Sequence, residues 1–580
     1  MKLNNKYLML LALLVVLVAL PFIVTNTYYL HLVNLIIVYS IIAIGLNLIT
    51  GVTGQISLGH AAFWAIGAYT TAYITTTLGL SFWISLPLSI LVAGAIGIIV
   101  GYFTLHLQGP YLAMATIGIG EITHQVLINW TSFSGGPSGV FGIPTISIFG
   151  FEINSEFRFY FFSLLFLVLV YSICKAIVNS RYGRSAIAIR ENENAARAVG
   201  VNSTKVKILV FGVSTAIAGL AGALYAPWVN YISPENFTFA ESLLFLTMIM
   251  MGGMGSIPAS IVGTTAIVAM SELLREVEQY RLIIYALIII LVIVFFPKGI
   301  IGMIPEKFRK GVVYPDFKLQ GLGQYSKVIK NRFDEKDKIV LKAEGITKKF
   351  GGLTAVNQVN LQVGVGEIRA LIGPNGSGKS TFLNCLAGWY EIDGGVFTLE
   401  NNNITKLPIY KRSKSGIART FQNILLFNEM TVLENVLVAI NEKNKREKQL
   451  VQDAYEILEF VGLLDKANEK VSNLPYGHQR SVEIARALAL YPKILLLDEP
   501  AAGMNDTETA ELMDLIYRIR DKGITVIVVE HDMKLVMGIA DFITVLNQGQ
   551  ILAEGTPLDI SKHEDVIKAY LGKEAVNAVS

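Results

Sequence analysis

Gly373-Pro-Asn-Gly-Ser-Gly378-Lys379-Ser380-Thr381 is the stretch that decides the fold of the second half of this 580-residue chain. It follows the strand-like run Ile368 to Ile372 and precedes the helical run Phe382 to Ala387. That strand–loop–helix setting is the one a phosphate-gripping loop needs. Gly373, Gly376 and Gly378 let successive backbone N–H groups turn toward one anion, with Pro374, Asn375 and Ser377 between them. The helix that follows presents its positive end to the same anion. Lys379 is expected on the β- and γ-phosphates of a nucleotide, with Thr381 beside it and Ser380 as a ligand to Mg²⁺. Further on, Lys493-Ile-Leu-Leu-Leu-Asp498-Glu499-Pro500 reads as a central strand of buried aliphatics ending in two carboxylates. Asp498 is expected to hold the Mg²⁺, and Glu499 to orient or deprotonate an attacking water. ATP and Mg²⁺ are the cofactors this pattern calls for.

Moving toward the N-terminus, the composition changes abruptly. No Asp, Glu, Lys or Arg occurs between Lys6 and Glu121. A charge at the centre of a spanning helix costs roughly 2.5 to 3.5 kcal/mol, which accounts for the exclusion. Mean hydropathy is +0.51, and charged residues make up 16%, well below the quarter or so of a soluble protein. Candidate spans run from Tyr7 to Val24, His31 to Thr50, Ser57 to Leu78, Ile84 to His106, Pro110 to Trp130, Phe159 to Val178, Val206 to Trp228, Ala240 to Met270 and Arg281 to Phe296. Each approaches the roughly 20 residues that cross about 30 Å of hydrocarbon. The stretch from Ala240 to Met270 is too long for one helix and is interrupted by Met251-Gly-Gly-Met-Gly-Ser-Ile-Pro258, so it reads as two segments around a break.

Parity supports about ten crossings. Lys2 and Lys6 place the start in the cytoplasm, and Lys298, Lys307, Arg309 and Lys310 place the end there. The loop Ser180 to Lys207, with Arg181, Arg184, Arg190, Arg197 and Lys205, then falls on the same side. The run Tyr7 to Val24 reads as a first spanning helix rather than a cleaved signal, since it is long and lacks a small-residue cleavage site. The organisation is therefore a transmembrane permease domain at 1–305, a basic cytoplasmic linker at 306–338, a nucleotide-binding α/β domain at 339–572 and a tail at 573–580. The net charge of +3 gives no reason to expect nucleic acid, and Cys174 and Cys385, with no CxxC, give none to expect a disulfide framework or a zinc site.

Other pieces of the second half resemble the ABC ATPase family, over about Ile339 to Gly572. Phe350, in Lys-Lys-Phe-Gly-Gly, resembles the aromatic that stacks on adenine, with Val356 on the same stretch. Gln422 in Arg-Thr-Phe-Gln resembles the glutamine that senses Mg²⁺ and the attacking water. Leu474-Pro-Tyr476-Gly477-His478-Gln479-Arg480 resembles the signature motif, and His531 in Val-Glu-His-Asp resembles the switch histidine beside the γ-phosphate. Two positions depart from the family pattern. Pro475 stands where serine is usual, and Asn505, in Pro500-Ala-Ala-Gly-Met-Asn505, stands where aspartate is usual. The fold class is accordingly a polytopic α-helical membrane domain followed by an α/β P-loop NTPase of ABC type.

The cytoplasmic loop contains Gly183-Arg-Ser-Ala-Ile-Ala-Ile-Arg190-Glu-Asn-Glu193-Asn-Ala-Ala-Arg197-Ala-Val-Gly200. Its part from Glu193 to Val199 reads as a short Ala-rich helix, with Asn192 as cap and Gly200 as stop. It resembles the coupling helix by which importer permeases dock in an ATPase groove. Together with Thr50-Gly51-Val-Thr-Gly54-Gln55-Ile-Ser57-Leu-Gly59-His60, Gly109-Pro-Tyr-Leu-Ala-Met-Ala-Thr116 and Met251 to Pro258, the first half resembles the permease of branched-chain amino acid (Liv-type) importers. The second half resembles the ATPase of that system.

The resemblance implies a fusion of two normally separate subunits in the cytoplasmic membrane, with the ATPase domain in the cytoplasm. It implies as partners a second ATPase domain, a second permease, an extracytoplasmic binding protein and the surrounding lipid. The transported solute is then a branched-chain or other small amino acid, moved inward. Urea or a short amide as solute, and a homodimeric exporter half, are the alternatives. Gln55, Ser57 and His60 read either as lining the solute pathway or as making hydrogen bonds between helices. Glu121, one turn from His124, is a candidate for the pathway, unless it reaches water at a segment end.

Overall fold

The computed structural model describes residues 15–104, 109–148, 150–295, 299–302, 338–440 and 445–571. Lys2, Lys6, the start of the first span, His106, the basic cluster Lys298 to Lys310, the linker with Gly321 and Gly323, and the tail 573–580 lie outside them. The chain forms two compact units, Met1–Arg190 with Thr204–Val312, and Glu191–Ser203 with Val313–Ser580.

The first unit is helical. A helix over 15–23 leads to α1 (Thr27–Asn47), whose N-terminus is capped by Asn26 and which ends in a π-helical turn, Leu48–Val52. Next come α2 (His60–Thr76), α3 (Phe82–Thr104), α4 (Pro110–Asn129), α5 (Glu156–Val178) and α6 (Arg181–Glu191). The short α7 (Glu193–Ala198) belongs to the second unit. The first unit then resumes with α8 (Ser203–Val229), α9 (Phe239–Gly252), α10 (Ile257–Leu273) and α11 (Arg281–Phe295). Among the described residues, five helices are long and apolar enough to cross a membrane: α1 with its π-turn, α3, α4, α5 and α8. The long stretch with the Gly-Gly-Met-Gly interruption is a pair of half-helices meeting at 117°. Gly253 and Gly255 have positive φ there, which takes the chain out of the helical conformation, and Pro258 opens the second half, where a missing N–H costs no helical bond.

α1 and α8 form the centre of this bundle, each 72% buried over its apolar window. At one end, the Glu156 carboxylate ties three helices together. It accepts from Asn34 Nδ2 at 2.6 Å and Trp228 Nε1 at 3.0 Å, and lies 2.8 Å from His31 Nδ1. At another point the π-turn meets the helix break. Asn47 Nδ2 donates to Ser256 O and Ser260 Oγ, both at 2.9 Å, while its Oδ1 accepts from Gly255 N–H at 2.8 Å. A Cβ on Gly51 would come within 2.2 Å of Gly255 N, so only glycine allows this approach.

The second unit is an α/β domain. A four-stranded antiparallel sheet contains β1 (Ile339–Phe350), β2 (Leu353–Gly364), β4 (Gly394–Leu399) and the two-residue strand Asn402–Asn403. A six-stranded sheet contains β3 (Ile368–Ile372), β5 (Ile417–Arg419), β6 (Ile494–Asp498), β7 (Thr525–Val529), β8 (Phe542–Asn547) and β9 (Gln550–Gly555), in the order β5-β6-β7-β3-β8-β9. All of its pairings are parallel except β8 with β9. β3, β6 and β7 are buried at every residue, which is why they are mostly apolar on both faces rather than alternating, with Arg369 in β3 buried and paired to Glu367. Leu371, Phe382, Leu386, Leu496, Ile527 and Val529 share the core beneath the carboxyl edge of this sheet.

Candidate functional site

The carboxyl edge of the parallel sheet is where α/β folds build sites, and three adjacent strands deliver the expected residues there. β3 runs into the glycine loop and then into α12 (Lys379–Ala387). Gly373 and Gly378 have φ of +147° and +100°. A Cβ on Gly373 would meet Leu546 O at 2.0 Å, and one on Gly378 would meet Ala355 O at 2.4 Å. Glycine is therefore required at both for geometry as well as for conformation. Asn375 and Gly376 are exposed at the loop tip, Ser377 is buried, and Ser380 is exposed at the start of α12. Lys379 curls back over the loop, donating to Gly373 O at 2.7 Å and Pro374 O at 3.0 Å. Burial holds its ammonium below the usual lysine range, while the Glu499 and Asp498 carboxylates pull the other way.

β6 ends at Asp498, and β7, its neighbour, leads to Glu530 and His531. Asp498 is buried and pairs with Arg419 Nη2 at 2.8 Å. Glu499 sits at φ +46°, a conformation few non-glycine residues adopt and one that clusters at functional sites. Its carboxylate is bracketed on both sides. Gln422 Nε2 donates to Oε2 at 3.0 Å, and His531 Nε2 lies 3.3 Å from Oε1. Glu530 pins the flanking backbone by accepting from Ala501 N at 2.8 Å and His531 N at 2.9 Å. The structure thus brings together Lys379, Asp498, Glu499, Gln422 and His531 around one edge. Phe350 is 43% exposed, edge-on to Tyr390 at 5.2 Å, and so presents a ring face to solvent. Val356 is fully buried, so it supports the loop from below and offers no surface to a base.

The signature segment opens α14 (Tyr476–Leu488); it follows α13 (Ile409–Ser415) and precedes α15 (Asp506–Arg520). Leu474 is buried, Tyr476 and Gln479 flank the helix start, and His478 lies on its first turn. Pro475 takes the cap position with no side-chain hydrogen bond, leaving the first-turn N–H groups at Gly477 and His478 to another partner. Asn505 caps α15, accepting from Glu508 N at 2.9 Å while Glu508 returns a bond to Asn505 N at 3.0 Å. Asparagine caps as well as aspartate, so this departure leaves the helix start intact.

Sequence reading missed a buried network behind the signature. Arg480 donates to Phe421 O at 2.7 Å, Gln422 O at 3.1 Å and Glu483 Oε2 at 2.8 Å. Arg486 donates to Leu425 O at 2.6 Å. Burial raises the Glu483 carboxyl against the pull of both arginines, and lowers Arg486 to about 10. These charges fasten the signature helix to the segment that carries Gln422. Arg480 stands in the quoted motif, but nothing in its spacing tells that it points inward.

α7 is the helix expected in the loop 180–207. Asn192 caps it by accepting from Ala195 N at 2.9 Å, Arg197 pairs with Glu193 at 2.6 Å, and Arg197 Nε donates to Ser203 Oγ at 2.9 Å. Ala195, Ala196 and Ala198 are buried, and Ser413 Oγ of α13 donates to Ala198 O at 2.6 Å. Gly200, at φ +81°, packs beside Lys414 and Leu490. Arg190 differs from the expectation. It lies on α6, before α7, and its Nη1 donates to Gly51 O at 2.6 Å.

In the first unit Gln55, Ser57 and His60 are all buried. His60 Nε2 lies 2.9 Å from Ser214 Oγ, and its Nδ1 lies 3.3 Å from Ser57 Oγ. Leu58 N donates to Thr116 Oγ1 at 3.0 Å and Ala61 N to Ser242 Oγ at 3.1 Å. This segment thus joins α2, α4, α8 and α9 through His60, Leu58 and Ala61, whereas Gln55 only accepts from Thr53 Oγ1 at 3.4 Å and its buried Nε2 has no partner among the described residues. Glu121, by contrast, is exposed on α4.

Comparison with known proteins matches both halves. A family described as the permease component of branched-chain amino acid transport systems matches residues 28–295. The ABC transporter family matches 356–502, and the branched-chain amino acid ATP-binding cassette transporter family matches 550–576. Over 250 residues, 40% of this chain and 98% of the relative, the sequence is 47% identical to the high-affinity branched-chain amino acid transport ATP-binding protein LivG of Escherichia coli K12. Over 322 residues, 52% of this chain and 76% of the relative, it is 36% identical to the system permease protein LivM of the same organism. A nucleotide-free ATP-binding cassette from an ABC transporter is similar in structure, at 32% identity and a TM-score of 0.37, covering 41% of this chain and 100% of that one.

Proposed function

The chain belongs to the branched-chain amino acid ABC transport family, as an ATP hydrolase coupled to membrane transport, and we propose that it carries branched-chain or other small amino acids into the cytoplasm as a fused permease and ATPase. The observation that carries this reading is the convergence of Lys379, Asp498, Glu499, Gln422 and His531 on one sheet edge, in a chain whose first half matches the permease component. Its membrane is the cytoplasmic one, with the ATPase domain on the side of the basic loop 180–207. A second ATPase domain, a second permease and an extracytoplasmic binding protein complete the assembly.

In this reading Lys379 holds the β- and γ-phosphates, the backbone N–H groups of Gly376 and Gly378 cradle them, and Phe350 stacks on the base. Glu499 takes the proton of the attacking water. Gln422 and His531 fix its two oxygens, so the base is aimed before the substrate arrives. The oxygen donors of Ser380, Gln422 and Asp498 suit Mg²⁺, and Arg419 already places positive charge against Asp498. The ion would supply charge neutralisation on the phosphates. Tyr476, Gly477, His478 and Gln479 offer the start of α14 to the nucleotide held by the partner ATPase domain.

Uptake of radiolabelled leucine into vesicles, by the chain co-expressed with its partner subunits and supplied with binding protein and ATP, tests this function. ATP-dependent accumulation of leucine supports it. Accumulation of urea alone, or outward movement by the chain without partners, would replace it with one of the alternatives.

The docking role of α7 has its own expected result. Arg197→Glu breaks the pair with Glu193 and the bond to Ser203, and should reduce uptake roughly tenfold while basal ATPase stays within about twofold. Reversing both charges restores the pair in the less favourable order, so the double variant should fall between the two. Full uptake by Arg197→Glu would remove α7 from the coupling step.

A further inference from the structure

α4 inverts the rule that the surface of a membrane bundle is its most apolar part. Of the five helices long and apolar enough to span, it is the least buried, at 17% of its apolar window, and also the least apolar. α3 and α5 are exposed too, but they show lipid-compatible side chains, such as Ile99 and Leu91 on one and Leu165 and Leu169 on the other. On α4 the exposed stripe runs through Tyr111, Met114, Glu121, Ile122, Gln125 and Asn129, with the half-buried Gly118 between them, at the three-and-four spacing of one helix face. Glu121 lies near the middle of the helix, whereas Arg158, Lys175, Lys205 and Lys207 lie near helix ends on the other spans. Gln125 Nε2 donates to Glu121 Oε1 at 2.8 Å, and Asn129 Nδ2 donates to Gln125 O at 2.8 Å, so the polar groups form a ladder along the face. Hydrocarbon cannot accept such a face.

We infer that this face of α4 is the wall of an aqueous solute pathway, and that Glu121 meets the ammonium of a zwitterionic amino acid near the membrane midplane. The solute class rests on the proposed function, and the wall rests on α4 alone. A carboxylate complements an ammonium, and Met114 and Ile122, 65% and 64% exposed on the same face, complement an aliphatic side chain. Gly118 lies one turn from Glu121, and a Cβ there would meet nothing within 4 Å, which leaves a notch beside the carboxylate. Within this chain the Glu121 carboxylate is met by the Gln125 amide, so dry packing against another subunit would need a cation from that subunit, whereas a watered wall needs none.

The test uses the full chain, co-expressed with its partner subunits in vesicles, carrying Met114→Cys, Ile122→Cys or Gln125→Cys. Ile99→Cys and Leu165→Cys are the lipid-facing comparisons, and the unsubstituted chain reports on its own buried Cys174 and Cys385. A thiol must ionise to react, so a membrane-impermeant sulfonated maleimide should modify the α4 cysteines roughly tenfold faster or more than the comparisons. Leucine should slow that labelling and urea should not, and Glu121→Gln should abolish the protection and raise the KM for leucine uptake roughly tenfold. Labelling of the α4 cysteines no faster than at Ile99→Cys and Leu165→Cys overturns the wall while leaving ATP-driven leucine uptake by the unsubstituted chain intact. Fast labelling that urea slows and leucine does not overturns the ammonium site and, with it, the amino acid reading.

Discussion

The chain with Glu499→Gln is expected to turn over ATP about 10²- to 10⁴-fold more slowly than the unsubstituted chain, the range a positioned general base supplies. Glutamine matches glutamate in shape, so the left-handed backbone at this position is retained, while its NH2 replaces the oxygen that faced His531 Nε2. The contact with Gln422 survives, since an amide oxygen accepts as the carboxylate does. What disappears is a group able to take a proton from water. Nucleotide binding should therefore persist, and Mg-ATP affinity should move by less than about threefold, because Glu499 is not among the groups that grip the phosphates. Leucine uptake should fall in parallel with turnover. Steady-state ATPase at saturating ATP, alongside equilibrium binding, makes the comparison. Unchanged turnover would take Glu499 out of the reaction, and a joint loss of binding would recast it as a structural residue.

That site was legible because each of its parts is local. A glycine loop announces itself by spacing, and the buried strands β3 and β6 announce themselves as mostly apolar runs ending in a turn or in carboxylates. The break between α9 and α10 was legible for the same reason, since Gly253, Gly255 and Pro258 act on their own backbone. What escaped is what topology assembles. The Arg419–Asp498 pair links β5 to the end of β6, and Arg480 reaches the carbonyls of Phe421 and Gln422 from the far side of a helix. Partners so far apart in sequence leave no periodic trace. For His60 and Ser57 the sequence leaves pathway lining and interhelical bonding open, because the partner Ser214, 2.9 Å from His60, is 154 residues away in the chain. The docking helix was legible from its cap, Asn192, the single non-helical residue that separates α6, with Arg190, from α7.

The second large effect is expected at Lys379. Its ammonium already donates to Gly373 O and Pro374 O, so it sits against the loop that will surround the phosphates and reaches them with little rearrangement. Two charge-assisted hydrogen bonds, at about 1.5 to 3 kcal/mol each, are lost when it is removed. Lys379→Ala should therefore raise the Kd for Mg-ATP roughly 10²- to 10⁴-fold and abolish turnover at ordinary ATP concentrations. Lys379→Arg should recover only part of the affinity, because a planar fork on a longer stem does not fit where a compact ammonium curls back onto the loop carbonyls. Loss of the lysine also leaves the buried Gly373 O and the half-buried Pro374 O without this donor, so unfolding of the nucleotide-free protein should become easier by about 1 to 3 kcal/mol. Isothermal binding and thermal unfolding, each measured with and without Mg-ATP, separate the two effects. Affinity within about twofold of the unsubstituted chain would mean that the glycine loop does not hold the triphosphate.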